Sequence, residues 1–423
     1  MPVLVVGNPI RTATQERRQP VNSRQRVLSS LNHEQPDVVP IDFSGHRSSG
    51  ISAIAYARLR KYLGLPEKPI FVYDPIQQLA IVDEDILDRF GVDTIELGRA
   101  FAREGRDWVD WTLPDGTPCR MPAWASPERE RNRWLLRSKS GRVIAAMPDG
   151  AIYFEQTYWP FAEGGDLDHI PQAMGECMWT AIGSPPGPLV SEDEFREGAR
   201  GLRGSTERAT IGLFGGNLLE MGQFLYRNDR FLMLLAEDRR KAHAFLEKVV
   251  ELHLANLERF LAAVGPSIDI ILFGDDLGMQ SGPQISPAMY REFFKTRHES
   301  LWKRAKDLAD VKVMLHCCGG VRELLPDLIE AGLDAINPVQ ISCSGMHARE
   351  LKREFGKDIT FWGGGCDTQR VLLASSPEEV RRHVREQVEI LSPGGGFVFQ
   401  QVHNILADAP PENVVAMFDA VRG

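Results

Sequence analysis

His316-Cys317-Cys318-Gly319-Gly320 follows the apolar run Val311-Lys312-Val313-Met314-Leu315, so a histidine and a cysteine two residues apart stand where a buried strand runs out. Side chains alternate along a strand, which turns His316 and Cys318 to one side and Cys317 to the other. An imidazole nitrogen with a thiolate sulfur is a ligand pair that zinc favours. The plain alternative is a buried thiol beside a hydrogen-bonded histidine, so the other strand ends must decide. After Ile270-Ile271-Leu272-Phe273 come Asp275 and Asp276; after Ala335-Ile336 come Asn337 and Gln340; after Phe361-Trp362 come Cys366 and Asp367; after Phe397-Val398-Phe399 come Gln400, Gln401, His403 and Asn404. His316, Cys318, Cys366 and His403 therefore make a candidate ligand set of two nitrogens and two sulfurs. A catalytic zinc keeps one position open, so His316, Cys318 and Cys366 are the first ligands expected, with His403 as the fourth or as acid/base. Asp275 and Asp276 are candidates for a general base, for substrate contacts or for orienting a ligand histidine. A helix N-terminal acidic pair is the bland reading of both. Gln340, Gln401 and Asn404 are expected to contact substrate, and Cys343 is placed further along a loop.

These groups converge only if the strands that carry them lie side by side. From about residue 205 onward short apolar runs alternate with long amphipathic stretches, the pattern of βα units around a parallel sheet. Strands are expected at Val38 to Phe43, Thr94 to Leu97, Thr210 to Phe214, Asp269 to Phe273, Lys312 to Leu315, Ala335 to Pro338, Ile359 to Trp362 and Phe397 to Gln400. Eight such strands predict an α/β fold, a TIM (β/α)8 barrel, in which chemistry gathers at the C-terminal strand ends. Arg230 to Val264 reads as one or two helices, Ser286-Pro287 as a helix start, and Ser376-Pro377-Glu378-Glu379 as a capping box. The stretch from about 105 to 204, rich in Trp, Pro and Gly, reads as a long insertion in the N-terminal half of a single domain spanning 1–423. Strands within it are expected at Gly141 to Met147 and Ala151 to Phe154. A doubly wound sheet is the runner-up, but neither glycine run has the G-x-G-x-x-G spacing of a dinucleotide site.

Composition narrows the partners. With 43% hydrophobic and 25% charged residues the chain reads as an ordinary globular protein, and a net charge of −9 without basic blocks argues against nucleic acid or an anionic membrane. Six cysteines, unevenly spread, do not make a disulfide framework. The opening run Met1 to Gly7 is too short and too uncharged for a signal peptide, so a cytoplasmic location is expected.

The chain resembles the uroporphyrinogen decarboxylase superfamily, in particular its cobalamin-dependent methyltransferase branch. The likeness runs from Ser23-Arg24-Gln25-Arg26-Val27-Leu28 and Gln35-Pro36-Asp37-Val38-Val39-Pro40 to Gly394 through His403 and Pro410-Pro411-Glu412-Asn413-Val414. It implies a TIM barrel. In the decarboxylases an arginine-rich loop grips tetrapyrrole carboxylates; the corresponding stretch here, Ser44-Gly45-His46-Arg47-Ser48-Ser49-Gly50, lacks that cluster and leaves His46 as a substrate-binding candidate. In the methyltransferase branch an H-x-C motif and a later cysteine hold zinc. His316 and Cys318 match the motif, the late cysteine falls near His403, and Cys366 sits at the preceding strand end. The resemblance thus implies zinc, a corrinoid on a separate partner protein, and methyl transfer to or from a small O-, N- or S-methylated substrate or a thiol acceptor. A metal-free decarboxylase is the alternative reaction, a ligand-binding barrel the non-enzymatic one, and a homodimer is left open.

Overall fold

Seven of the eight expected runs become parallel strands of one curved sheet. The protein is described here from a computed structural model covering residues 21–100, 107–125, 127–182 and 191–423; the opening run Met1 to Gly7 lies outside the described residues. In chain order the strands are β1 (Thr94–Glu96), β2 (Ala209–Gly215), β3 (Ile270–Gly274), β4 (Lys312–His316), β5 (Ala335–Asn337), β6 (Thr360–Trp362) and β7 (Phe397–Val398). Each pairs in parallel with the next. Parallel strands need a crossover to return the chain, and helices such as Arg239–Val264, Thr296–Leu308 and Pro377–Leu391 supply it.

The eighth run differs from expectation. Val38 to Phe43 contributes only a parallel bridge, Ile41 to Phe399, in place of a strand. Pro36 and Pro40 carry no N–H to donate to a ladder, which confines pairing to their neighbours. The Phe399 N–H donates to the Pro40 carbonyl and the Asp42 N–H to the Phe399 carbonyl, both at 2.8 Å. On its other edge the Ile41 N–H donates to the Asp93 side chain at 2.9 Å, and the Asp93 N–H to the Ile41 carbonyl. The segment thus fills the gap between β7 and β1 and closes a TIM-like barrel.

Alternation along the strands separates the two packing layers. Ala209, Ile211, Ile270, Leu272, Met314, Ala335, Trp362 and Val398 point inward and form one cluster with Val27 and Leu31 of helix Ser23–Leu31. That helix is the floor of the barrel, fastened by the Ser30 hydroxyl to the Phe397 carbonyl at 2.6 Å. The intervening residues, Ile271, Phe273, Val313, Leu315, Ile336 and Phe361, pack outward beneath the helices. The inward register that ends in Met314 continues to His316, and the outward register that ends in Leu315 continues to Cys317.

Two small sheets stand apart from the barrel strands, the first built from segments on either side of β1 in the chain and the second from segments between β1 and β2. One orders Leu79–Ala80, Ile70–Asp74, Pro118–Pro122 and Trp108–Thr112; the other orders Glu128–Glu130, Arg133–Arg137, Val143–Pro148 and Glu155–Gln156. The strand expected at Ala151 to Phe154 is instead an irregular bend, entered through a turn that the Ala151 N–H closes on the Pro148 carbonyl with Gly150 at φ +83°; pairing resumes at Glu155. Arg230 to Val264 resolves into the end of helix Asn228–Glu237 and helix Arg239–Val264. Ser376 caps helix Pro377–Leu391 reciprocally with Glu379. Ser376→Ala is expected to lower the unfolding free energy by about 1 kcal/mol in urea titration, leaving metal content unchanged. Among the described residues no helix is long and apolar enough to cross a membrane.

Candidate metal centre

His316, Cys318 and His403 meet at the C-terminal mouth of the barrel, with their ligand atoms all within 4.8 Å of one another. Donor atoms around a tetrahedral zinc lie roughly 3.3–3.8 Å apart. Cys318 Sγ and His316 Nε2 are 3.4 Å apart. The loop behind them leaves no room for side chains: a Cβ on Gly278 would stand 2.5 Å from the Cys318 carbonyl oxygen, and one on Gly319 2.3 Å from the Gly278 carbonyl carbon. Asp276 Oδ1 accepts the Cys318 N–H at 2.7 Å and lies 3.7 Å from His316 Nε2.

Both histidines are held in the tautomer a metal requires. A carbonyl oxygen only accepts, so the Asn337 amide nitrogen must face the Trp362 carbonyl, at 3.0 Å. That turns Asn337 Oδ1 toward the Ser48 hydroxyl at 2.8 Å and His316 Nδ1 at 3.0 Å, so Nδ1 carries the proton and Nε2 the lone pair. A second relay does the same for His403. The Gln77 amide nitrogen donates to the Asp74 carboxylate at 3.2 Å, its oxygen accepts from Asn404 at 2.8 Å, and Asn404 Oδ1 accepts from His403 Nδ1 at 2.9 Å. Two Nε2 lone pairs are left for the centre.

The first relay extends inward. Asn337 also donates to Gln400 Oε1 at 2.8 Å, and His46 Nε2 lies 3.1 Å from both that oxygen and Asp42 Oδ2. Burial acts to raise the Asp42 carboxyl pKa, but the charge of His46 and hydrogen bonds from His46, Thr94 and Trp362 outweigh it and hold the group below its ordinary range. Burial lowers the His316 pKa and brings His403 down to about 4, so both rings are neutral near neutral pH; His253 is lowered by burial in the same way. Such groups stabilise the fold above the ordinary histidine pKa and withdraw that stability as pH falls, because the unfolded chain takes up protons first. Metal-free protein is therefore expected to lose about 1–2 kcal/mol of unfolding free energy between pH 7 and pH 5, with the partial solvent contact of both rings limiting the effect. Urea titration at the two pH values measures it.

Other expected site residues fall in different places. Cys366 is fully buried in the outer layer and comes no nearer a polar partner than the Asp367 carbonyl at 3.9 Å. Gly363 and Gly364, at φ +104° and +80°, bend the chain after β6 and carry Cys366 away from the three. Asp275 points outward: it accepts the Leu219 and Glu220 N–H groups at 3.0 and 2.9 Å and lies 3.3 Å from His298 Nε2. It thereby holds the start of helix Leu219–Tyr226. Gln401 is buried, with its amide 3.4 Å from the Gly50 carbonyl, and Gln340 accepts the Gly319 N–H at 2.8 Å. Cys343 meets Gln280, and Cys317 accepts the Leu277 N–H.

Two cavities reach the three ligands. One, of about 360 Å³, is lined by His316, His403, Asp276 and His46 on the barrel side and by Phe214, Phe224, Trp179 and Met174 opposite. The other, of about 510 Å³, is lined by Cys318, His403, Gln340 and Asn404. Glu220 in the first cavity was not anticipated. Burial, followed by the charges of Asp276 and Asp275, pushes its carboxyl well above the usual range, and Asn217 donates to it at 2.7 Å. Asn217 and Glu220 follow β2, and the rule applied to later strand ends finds them there too.

The strand order, parallel pairing and helical cover define a TIM-like barrel with its reactive groups at the C-terminal strand ends. The family model described as uroporphyrinogen decarboxylase (URO-D) matches residues 209–423, and the chain belongs to that enzyme family. A uroporphyrinogen decarboxylase from Legionella pneumophila (strain Corby) is 27% identical over 194 residues, 46% of this chain and 51% of the relative. One from Thioalkalivibrio sulfidiphilus (strain HL-EbGR7) is 31% identical over 144 residues, 33% and 39% of the two chains. The chain thus spans about half the length of the first of these relatives and less of the second. Among solved structures, a methyltransferase from Methanosarcina mazei shares the fold with a TM-score of 0.58 at 17% identity, over 95% of this chain and 99% of that one.

Proposed function

We propose that the chain is a zinc-dependent methyltransferase, moving a methyl group between a small O-, N- or S-methylated substrate, or a thiol acceptor, and a corrinoid carried by a partner protein. The observation that carries this reading is the pair of amide-locked histidines presenting Nε2 lone pairs beside Cys318. Two imidazoles and one thiol suit zinc and leave a fourth position for substrate. A bound zinc ion supplies a Lewis acid for a methylated heteroatom, or keeps a thiol acceptor ionised near neutral pH. The chain's own groups do the rest. Asn337 and Asn404 hold the imidazole protons away from the centre, Asp276 holds the Cys318 backbone, and Phe214, Phe224 and Trp179 limit water in the cavity. A corrinoid is too large for a cavity of about 360 Å³, which favours a partner protein seated over the barrel mouth. The activity named for the Methanosarcina mazei neighbour agrees with this reading.

The curated relatives' names favour a second reading, decarboxylation of a polycarboxylate. Against it stands the cavity lining, where among the described residues Arg47 is the one Arg or Lys and its Nε lies 3.1 Å from the buried Asp74 carboxylate. The test is an incubation of zinc-loaded protein with methylcobalamin and candidate thiols, or with reduced cobalamin and methylated donors, read by the cobalt absorbance. Methyl transfer abolished by chelation is expected. Carbon dioxide release from uroporphyrinogen that survives chelation would establish the decarboxylase instead.

A further inference from the structure

The chain after Ser286 forms one helix over residues 287–308 that changes pitch at one π-turn, Arg291–Lys295. In an unbroken α-helix residues eight apart are turned roughly 80° from each other, and the residue that a π-turn inserts takes up about 100°. The turn therefore brings Tyr290 and His298, which flank it, to nearly one face. The Tyr290 hydroxyl lies 3.1 Å from His298 Nδ1, and His298 Nε2 lies 3.3 Å from Asp275 Oδ2. All three side chains are buried, and the His298 ring lies flat on Trp302, with 4.9 Å between ring centres and 4° between planes. A carboxylate only accepts, so Nε2 carries the imidazole proton and Nδ1 accepts from the tyrosine hydroxyl.

Asp275 joins this pair to the metal centre. Its own N–H donates to the His316 carbonyl at 2.9 Å. The next two residues continue the seam, Asp276 accepting the Cys318 N–H at 2.7 Å and the Leu277 N–H reaching Cys317 Sγ at 3.2 Å. His316, Cys317 and Cys318 are thus each held by one residue of the stretch 275–277. Asp275 also accepts the Leu219 and Glu220 N–H groups, so one carboxylate fixes the start of the helix that carries Glu220 to the first cavity. His298 anchors that carboxylate from the far side, and neither His298 nor Tyr290 lines a cavity at the centre.

We propose that Tyr290 and His298 are positioning residues that act through Asp275. They hold the backbone presenting His316 and Cys318, and with it the helix start bearing Glu220. The π-turn is what lets the pair meet. The metal reading above is needed for one of the two measurements below and not for the other.

His298→Leu and His298→Gln form the test on the full chain, because the glutamine amide nitrogen can stand near the place of Nε2 and leucine offers no donor. Hydrogen exchange on metal-free protein is expected to quicken at least tenfold over residues 217–222 in His298→Leu and to stay near the parent rate in His298→Gln. The remote helix Pro377–Leu391 is expected to keep its parent rate in both. Equal exchange over 217–222 in the two variants, or a rise of the same size in the remote helix, overturns the proposal. Zinc affinity by chelator competition is expected to follow the same order, roughly tenfold weaker for leucine and within about threefold of the parent for glutamine. Equal zinc affinity in the two variants of a zinc-binding parent also overturns it. Should the leucine variant fail to accumulate, Asp275→Asn sets an N–H against the donors that Asp275 now accepts, and parent-like exchange over 217–222 in that variant overturns the proposal. A parent chain that binds no zinc counts against the metal reading, and the exchange measurement then decides alone.

Discussion

His316→Ala and Cys318→Ser are each expected to purify without zinc under conditions where the parent chain retains it. A structural zinc with four protein ligands is worth about 10–16 kcal/mol, so one ligand of three carries roughly 3–4 kcal/mol, or about 100- to 1000-fold in affinity. Elemental analysis after dialysis against a weak chelator reads the loss directly. Cys366→Ser separates the two possible ligand sets. Its sulfur is buried in the outer layer, so this variant is expected to keep its zinc and to show only a packing cost. Zinc retained by Cys318→Ser and lost from Cys366→Ser would reverse the assignment made from the geometry.

Asn337→Leu is expected to weaken zinc binding by roughly 10- to 100-fold without touching a ligand. The amide is the group that fixes the His316 proton on Nδ1, and leucine of similar volume leaves the ring free to turn or to change tautomer. The same substitution strands the Trp362 carbonyl in the barrel interior and leaves the Gln400 oxygen with only His46 Nε2 beside it, at a cost of about 1–3 kcal/mol of stability. Competition with a coloured chelator measures the first effect and urea titration the second. Asn404→Ala, at the outer relay, is expected to share the first effect with a smaller second one. A purely structural role for these amides would lower stability and leave zinc affinity unchanged.

Much of this architecture was legible because the barrel strands are continuous apolar runs, buried on both faces, with turn residues after them. Ile270 to Phe273 and Lys312 to Leu315 could be placed from composition alone, and alternation then put His316 and Cys318 together and Cys317 apart. Alternation stops helping once the chain leaves the strand. Cys366 follows two glycines at positive φ, and nothing in its spacing from Trp362 reveals which way they turn it. Asp275 and Asp276 are neighbours of one type, yet one caps a helix and the other faces the cavity, a division set by the position of Leu219 and Glu220. Asn337, Asn404 and Gln77 are ordinary amides in sequence. Their part in the centre exists only as contacts across 21, 1 and 327 positions of chain. The segment at Ile41 pairs less than its apolar residues suggest for a plainer reason, since Pro36 and Pro40 limit its pairing to a single bridge.

The floor helix has a consequence for how the chain is made. Ser30 is among the first residues of the described structure to be synthesised, while its partner Phe397 comes 367 positions later. Until that partner emerges, Val27 and Leu31 have no complete interior to enter while the intervening barrel strands are made. The floor helix is made before every barrel strand and seated only with the last of them, so its apolar side gives a nascent-chain chaperone a long opportunity to bind.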